Sequence, residues 1–283
     1  MLRQRVITAV VLLAILLPAL FYNSPAPFCA IALVLIAAGG WEWGRLNACS
    51  PMASVVLGLI LAVLCGLAWY AGLLDTPMSM LWILAGSAWV LVGSFLLRLG
   101  VNGWSGLPRT FRLAGGMAAL WLAWLAVAQA RVIGINFLLS VLLLVWAADI
   151  FAYAAGRTLG GRFIKNKLAP GISPGKSWEG VLGGMLGVVL LCVAWALLDR
   201  SGASAFNGSL YARLWAQHGV WMMLLGVIFL AAMSVVGDLV ESLVKRSAGA
   251  KDSSGLLPGH GGVLDRVDAL LPTVPLAMML ANL

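Results

Sequence analysis

The sequence is short of charge. Asp, Glu, Lys and Arg supply only 10% of its 283 residues, against about 25% in a soluble domain. Cysteine is sparse too: Cys29, Cys49, Cys65 and Cys192 show no CxxC spacing, which argues against both a zinc ribbon and a disulfide framework. The two histidines, His218 and His260, stand too far apart to found a metal cluster. No basic helix and no aromatic RNA-binding motif accompanies the net charge of +8, so no nucleic-acid partner is expected. What the chain does have is apolar length, with 62% hydrophobic residues and a mean hydropathy of +1.01. That composition belongs to an integral membrane protein.

Nine apolar segments can be drawn, at 6–22, 26–43, 52–72, 78–97, 113–130, 132–155, 178–198, 220–236 and 266–283. Each is near the length that crosses about 30 Å of hydrocarbon. Lipid offers backbone groups no partner, so the segments are expected to be helices. The fold class is therefore all-α, a polytopic membrane protein of about nine transmembrane helices. The first segment exceeds the roughly 7–15 residues of a signal-peptide core and lacks a small-x-small cleavage site, so it counts as a membrane helix.

Basic residues orient the array. With the N-terminus in the cytoplasm, only Arg131, Arg200 and Arg213 of the 18 Lys and Arg residues face outside. The bias predicts a cytoplasmic N-terminus and, for nine crossings, an external C-terminus. Residues 1–130 then read as membrane helices serving packing or dimerisation. Residues 131–283 form the catalytic region, with cytoplasmic loops 156–177 and 237–265. Gly183, Gly184 and Gly187 give the seventh segment a small-residue surface suited to close packing within the chain.

Charge is concentrated where chemistry would be. Nine of the 28 charged residues lie between Asp238 and Asp268. Asp238, Glu241, Ser242 and Lys245 follow one another at helical spacing on one face. Asp265 and Asp268 make a second pair three residues apart, where helix capping is the simpler alternative. Together, Asp238, Asp265 and Asp268 offer hard oxygen ligands of the kind Mg²⁺ takes beside phosphates. Between the pairs, GLLPGHGG has glycines that let backbone N–H groups approach an anion, and Lys245, Arg246, Lys251 and Arg266 surround it. His260 reads equally as a phosphate contact and as a structural residue.

The other loop begins at Asp149, an intramembrane carboxylate with Arg157 or Lys167 as candidate partners. Its piece GISPGKS is not a phosphate-binding P-loop, because the required first glycine is Pro170, no buried strand precedes it and a membrane helix follows. Ser173, Lys176 and Ser177, at the start of the seventh helix, can still hold phosphate.

The stretch S-x-V-K-R-x4-K-D-x-S-x2-L-P-x-H-G-G-V-x-D-R-V-D, residues 242–268, resembles the signature of phosphatidate cytidylyltransferases, and 167–180 resembles that family's second cytoplasmic loop. Ile150 departs from the small or hydroxyl residue usual after the loop's aspartate. The resemblance implies Mg²⁺-dependent transfer of CMP from CTP to phosphatidate, with release of pyrophosphate. It assigns Asp238 and Asp265 to metal, with Asp268 beside them, and gives Ser242 and Lys245 active-site roles. It also implies a homodimer in a bacterial-type inner membrane and a monovalent cation such as K⁺ beside the Mg²⁺. Asp149, Lys167, Ser173, Lys176 and Ser177 would then form the CTP side. Two alternatives remain at this point: a CTP-dependent kinase or cytidylyltransferase of another lipid phosphate, and a membrane transporter.

Overall fold

A bilayer leaves an apolar segment few ways to satisfy its backbone, and this chain uses the helical one almost throughout. The computed structural model describes residues 2–202 and 208–283. Its elements in order are α1 (Leu2–Phe21), α2 (Ala26–Leu46), α3 (Pro51–Tyr70), α4 (Ser79–Gly106), α5 (Arg109–Ile133), α6 (Ile135–Leu159), β1 (Lys167–Ala169), β2 (Ser173–Ser177), α7 (Trp178–Arg200), α8 (Leu210–Ser247), α9 (Leu264–Val267) and α10 (Leu270–Ala281). Among the described residues, eight helices, α1 to α8, are long and apolar enough to cross a membrane. Val10, Val63, Leu91 and Leu186 point outward from them, as lipid-facing side chains do.

Two expectations are adjusted. The ninth apolar segment is not one long helix: a turn at Asp268 and Ala269 separates α9 from α10, which has only 12 residues. At 1.5 Å per residue α10 spans about 18 Å, less than the hydrocarbon core. Pro272 lacks the N–H that would bond back to Asp268, which explains why regular helix fails there. The pair still traverses the bundle, because Ser79 Oγ at the start of α4 lies 3.5 Å from Asn282 Oδ1. The second adjustment concerns 156–177, which folds in part as an antiparallel hairpin with Lys167 opposite Ser177 and Ala169 opposite Ser173.

Side-chain bonds sort the helix ends into two rims. At one, Arg131 donates to the Leu20 and Tyr22 carbonyls at 3.0 and 2.6 Å, and Gln129 donates to that of Leu73 at 2.6 Å. At the other, Thr8 donates to the Pro258 carbonyl at 2.9 Å and Arg109 to that of Ala48 at 2.8 Å. Both charged loops belong to this second rim.

Two features carry functional residues into place. Helix α8 breaks at Gly219, where φ is +82° and ψ is 171°, and then runs unbroken to Ser247. That later part is about 42 Å long, so its last turns outreach the roughly 30 Å hydrocarbon core and carry Asp238 to Arg246 toward water. The glycine surface of α7 packs on α6 within the chain. A Cβ at Gly183 would fall 2.2 Å from that of Ala155, and one at Gly187 2.2 Å from the Phe151 ring. This close approach sets Asp149 on α6 beside the start of α7.

The two-rim arrangement is open to labelling. In a Cys49→Ser background, single cysteines at Lys165 and at Thr76, both exposed, should react with a membrane-impermeant maleimide from opposite sides of sealed vesicles. Labelling of both from one side would overturn it.

Candidate active site

The two charged loops meet at an ion pair. Lys176, on β2, places its Nζ 2.5 Å from Asp238 Oδ2 on α8. Ser242, one helical turn on, donates to the other Asp238 oxygen at 3.2 Å. The pair stands at the wall of a cavity of about 420 Å³ between α6, α7 and α8, whose lining includes Asp149, Arg157, Lys176, Ser177 and Asp238. Lys176 and Asp238 keep 24% and 30% of their side-chain surface exposed, so the pair is reachable by a ligand.

Next to it lies a second constellation. Lys245 sits between two carboxylates, paired with Glu241 on its own helix and bonded to Asp265 Oδ1 at 2.6 Å. The other Asp265 oxygen accepts from the Ser253 N–H at 2.9 Å, the Ser253 hydroxyl at 2.9 Å and the Gly262 N–H at 2.7 Å. Burial would push the Asp265 carboxyl up, but the bonds from Lys245, Gly262 and Ser253 outweigh it and hold the carboxyl below its usual range. Asp268 is the opposite case. Burial first, then the neighbouring charges of Asp238 and Asp149, push its carboxyl up to about 7 against the pull of Lys245 and the Ala269 N–H. Asp149, Asp238 and Asp268 therefore share one electrostatic neighbourhood.

The glycines of GLLPGHGG serve an anion, and in this structure the anion is the protein's own. A Cβ at Gly261, whose φ is +84°, would meet Asp265 Oδ2 at 2.6 Å. One at Gly262 would meet the Ser253 hydroxyl at 2.1 Å and Glu42 Oε1 at 2.3 Å. The loop is thus wrapped around carboxylates.

Glu42, on α2, escaped the sequence reading. It is fully buried and accepts from the Ser254 hydroxyl at 2.5 Å and the Val263 N–H at 2.9 Å on Oε1 and from the Leu264 N–H at 2.7 Å on Oε2. The Ser253 hydroxyl, whose one proton lies between Glu42 and Asp265, stands 3.2 Å from Oε2. A signal existed. Glu42 is the lone acidic residue before Asp75, set within an apolar segment, and intramembrane carboxylates are functional candidates. Glu179 plays a similar part for the other loop, taking the N–H groups of Gly161, Phe163 and Ile164 at 3.1, 3.1 and 2.9 Å.

The remaining expected residues are more scattered. Ser177 is buried and caps α7 by accepting from the Gly180 N–H at 3.2 Å, while Ser173 is half-buried on β2. Arg157 bonds the Tyr153 hydroxyl at 2.9 Å. Lys167, Arg246 and Lys251 are exposed. Arg266 turns back to the His260 carbonyl at 3.0 and 2.6 Å, and His260 Nδ1 is buried with no hydrogen-bond partner among the described residues. Among the described residues no three Asp, Glu, His or Cys side chains form a ready-made metal cage.

The raised Asp268 carboxyl has a stability consequence. Folded, it titrates near 7; unfolded, near its ordinary 3.8. Between these values the folded chain keeps a proton that the unfolded chain has lost, so stability falls as pH rises and stays low above about 7. Asp268→Asn should therefore raise the thermal midpoint of the metal-free, detergent-solubilised protein at pH 8, and the gain should shrink toward pH 5. No gain at pH 8, or a gain independent of pH, would show that the charge is not strained.

Comparison with known proteins places this geometry. Residues 3–283 match the Cytidylyltransferase family. A phosphatidate cytidylyltransferase of Pseudomonas aeruginosa is 37% identical over 282 residues, 97% of this chain and 95% of that protein. Those of Haemophilus influenzae and Brucella abortus are 37% and 35% identical, again over 97% of this chain, and over 96% and 91% of the relatives. With the match running through both charged loops and every helix, the chain belongs to the cytidylyltransferase family.

Proposed function

We propose that this chain transfers CMP from CTP to phosphatidate at the cytoplasmic membrane face, giving CDP-diacylglycerol and pyrophosphate. The observation that carries the reading is the meeting of Lys176 and Asp238 in a cavity at the charged rim, within a chain whose relatives bear that enzyme's name. A phosphate oxygen of phosphatidate attacks the α-phosphorus of CTP, and the bond to the β-phosphate breaks with pyrophosphate as leaving group. The second pKa of a phosphate monoester is about 6, so the nucleophile is already ionised at neutral pH and no strong base is required. The obstacle is repulsion between two polyanions, which positioned cations relieve.

The side chains divide this work. Lys176 binds a phosphate on the nucleotide side once it exchanges its contact with Asp238. Arg157, exposed at the cavity edge, adds a second positive charge there. Lys245 is held toward the same region by Glu241 and Asp265. Asp238 and Asp268 are the carboxylates that fit Mg²⁺, which binds through one or two carboxylates together with water and phosphates. Asp149 lines the same cavity, so the donors are hard oxygens with an excess of negative charge. Bound there, Mg²⁺ would neutralise charge on the transferring phosphoryl group. Asp265, whose oxygens are engaged by Lys245, Ser253 and Gly262, orders the loop beside it. Family membership extends the proposal to a homodimer in a bacterial inner membrane, with a monovalent cation beside Mg²⁺.

Purified protein incubated with Mg²⁺, phosphatidate and CTP labelled at the α-phosphate should place label in the lipid phase. Asp238→Asn or Lys176→Ala should lower turnover by about 10²-fold, and EDTA should abolish it. Lipid labelled only from γ-labelled CTP would establish a kinase instead.

A further inference from the structure

We infer that Glu42 is a positioning residue for the transfer reaction, holding the 253–264 loop from a helix in the other half of the chain. The activity arm of this proposal rests on the function proposed above. The geometry stands by itself.

Four donor groups converge on the Glu42 carboxylate, three of them given to it alone and the fourth the single Ser253 hydroxyl proton, which lies between Glu42 and Asp265. All four come from one loop, two from its start and two from its end, so the carboxylate closes the loop like a clasp. Ser253 links this clasp to the site. Its hydroxyl lies 3.2 Å from Glu42 Oε2 and 2.9 Å from Asp265 Oδ2, and its N–H also bonds Asp265. Asp265 in turn fixes Lys245 at 2.6 Å. A chain of contacts thus runs from α2 through Ser253 and Asp265 to Lys245, one helical turn from Glu241 and two from Asp238.

Asp265, at the loop's own end, is the other carboxylate that gathers it, and among the described residues Glu42 is the one that does so from the first half of the chain. Pro258 touches α1 through the single bond from Thr8, and Leu256 is exposed. Space at the clasp is fully used, since Gly262 has no room for a Cβ beside Glu42 and Ser253. The role is one of positioning, because Glu42 is fully buried and its carboxylate bonds to Ser253, Ser254, Val263 and Leu264.

Glu42→Gln isolates the effect. Serine hydroxyls can turn to accept from an amide, but the Val263 and Leu264 N–H groups cannot. Whichever way the amide sits, one of them faces an NH₂ donor. In full-length protein, kcat should fall about 10- to 100-fold, as a small misplacement of reacting groups allows, with KM for CTP changed less than about threefold. Hydrogen exchange should quicken over 250–265 while α6 and α7 keep their protection. The proposal is overturned by a kcat within twofold of the parent chain. It is equally overturned by a kcat loss with the loop still protected, or by lost protection throughout the chain, which would make Glu42 a general fold residue. If the parent chain transfers no CMP, the proposed function fails, yet the exchange arm still decides whether Glu42 holds the loop.

Discussion

A loop at the rim of a membrane protein has little apolar surface with which to fold itself. Here the 253–264 loop folds instead around two carboxylates, Glu42 from α2 and Asp265 from its own end, which together accept its key N–H and hydroxyl groups. A buried donor left unpaired costs about 1–3 kcal/mol, so these two groups satisfy donors that the loop would otherwise bury unpaired, while Val263 and Leu264 supply its buried apolar contact. The glycine pattern follows from the same constraint. Gly261 and Gly262 are needed where carboxylate oxygens approach within about a hydrogen-bond length of the backbone.

The position of this clasp matters because the bilayer separates the substrates by phase. Phosphatidate keeps its acyl chains in hydrocarbon while CTP comes from water, so the reacting phosphates can meet only at the rim. Helix α8 is long enough after its break at Gly219 to carry Asp238, Ser242 and Lys245 to that level. The glycine face of α7 draws α6 in until Asp149 shares a cavity with Lys176 and Asp238. Cations and carboxylates are interleaved there: Lys176 answers Asp238, and Lys245 answers Glu241 and Asp265. Such pairing keeps buried charge tolerable before substrate arrives, and the partial exposure of Lys176 and Asp238 leaves one pair able to exchange partners.

Much of this was legible from residue order. Hydropathy located all eight spanning helices, since apolar length is the signal that lipid itself selects, but it stopped α4 nine residues short of Gly106 and took 237–247, the end of α8, for loop. Helical spacing put Asp238 and Ser242 on one face, and the structure joins them by a hydrogen bond. The hairpin was not legible. LysLeuAla and SerProGlyLysSer are too short to show alternation, and Pro174 argues against a strand. The ninth segment read as one helix because hydropathy does not register the N–H that Pro272 lacks. Glu42 could be flagged as an isolated intramembrane carboxylate, but its partners lie more than 200 positions away, and one sequence carries no record of such a pairing.

That distant pairing changes how the two halves of the chain relate. Reading 1–130 as packing helices and 131–283 as the catalytic region treats the site as local to the second half. Yet α2 holds the signature loop through Glu42, and α1 touches it through Thr8. The carboxylate that closes the loop and the residues that face the cavity therefore sit on opposite halves. A helix is a better anchor than another loop, because its own backbone bonds are complete and its register in the bilayer is set by its apolar length. The first half supplies a rigid floor, against which the glycine loop and Lys245 can be held in one geometry while the cavity beside them stays open to ligand.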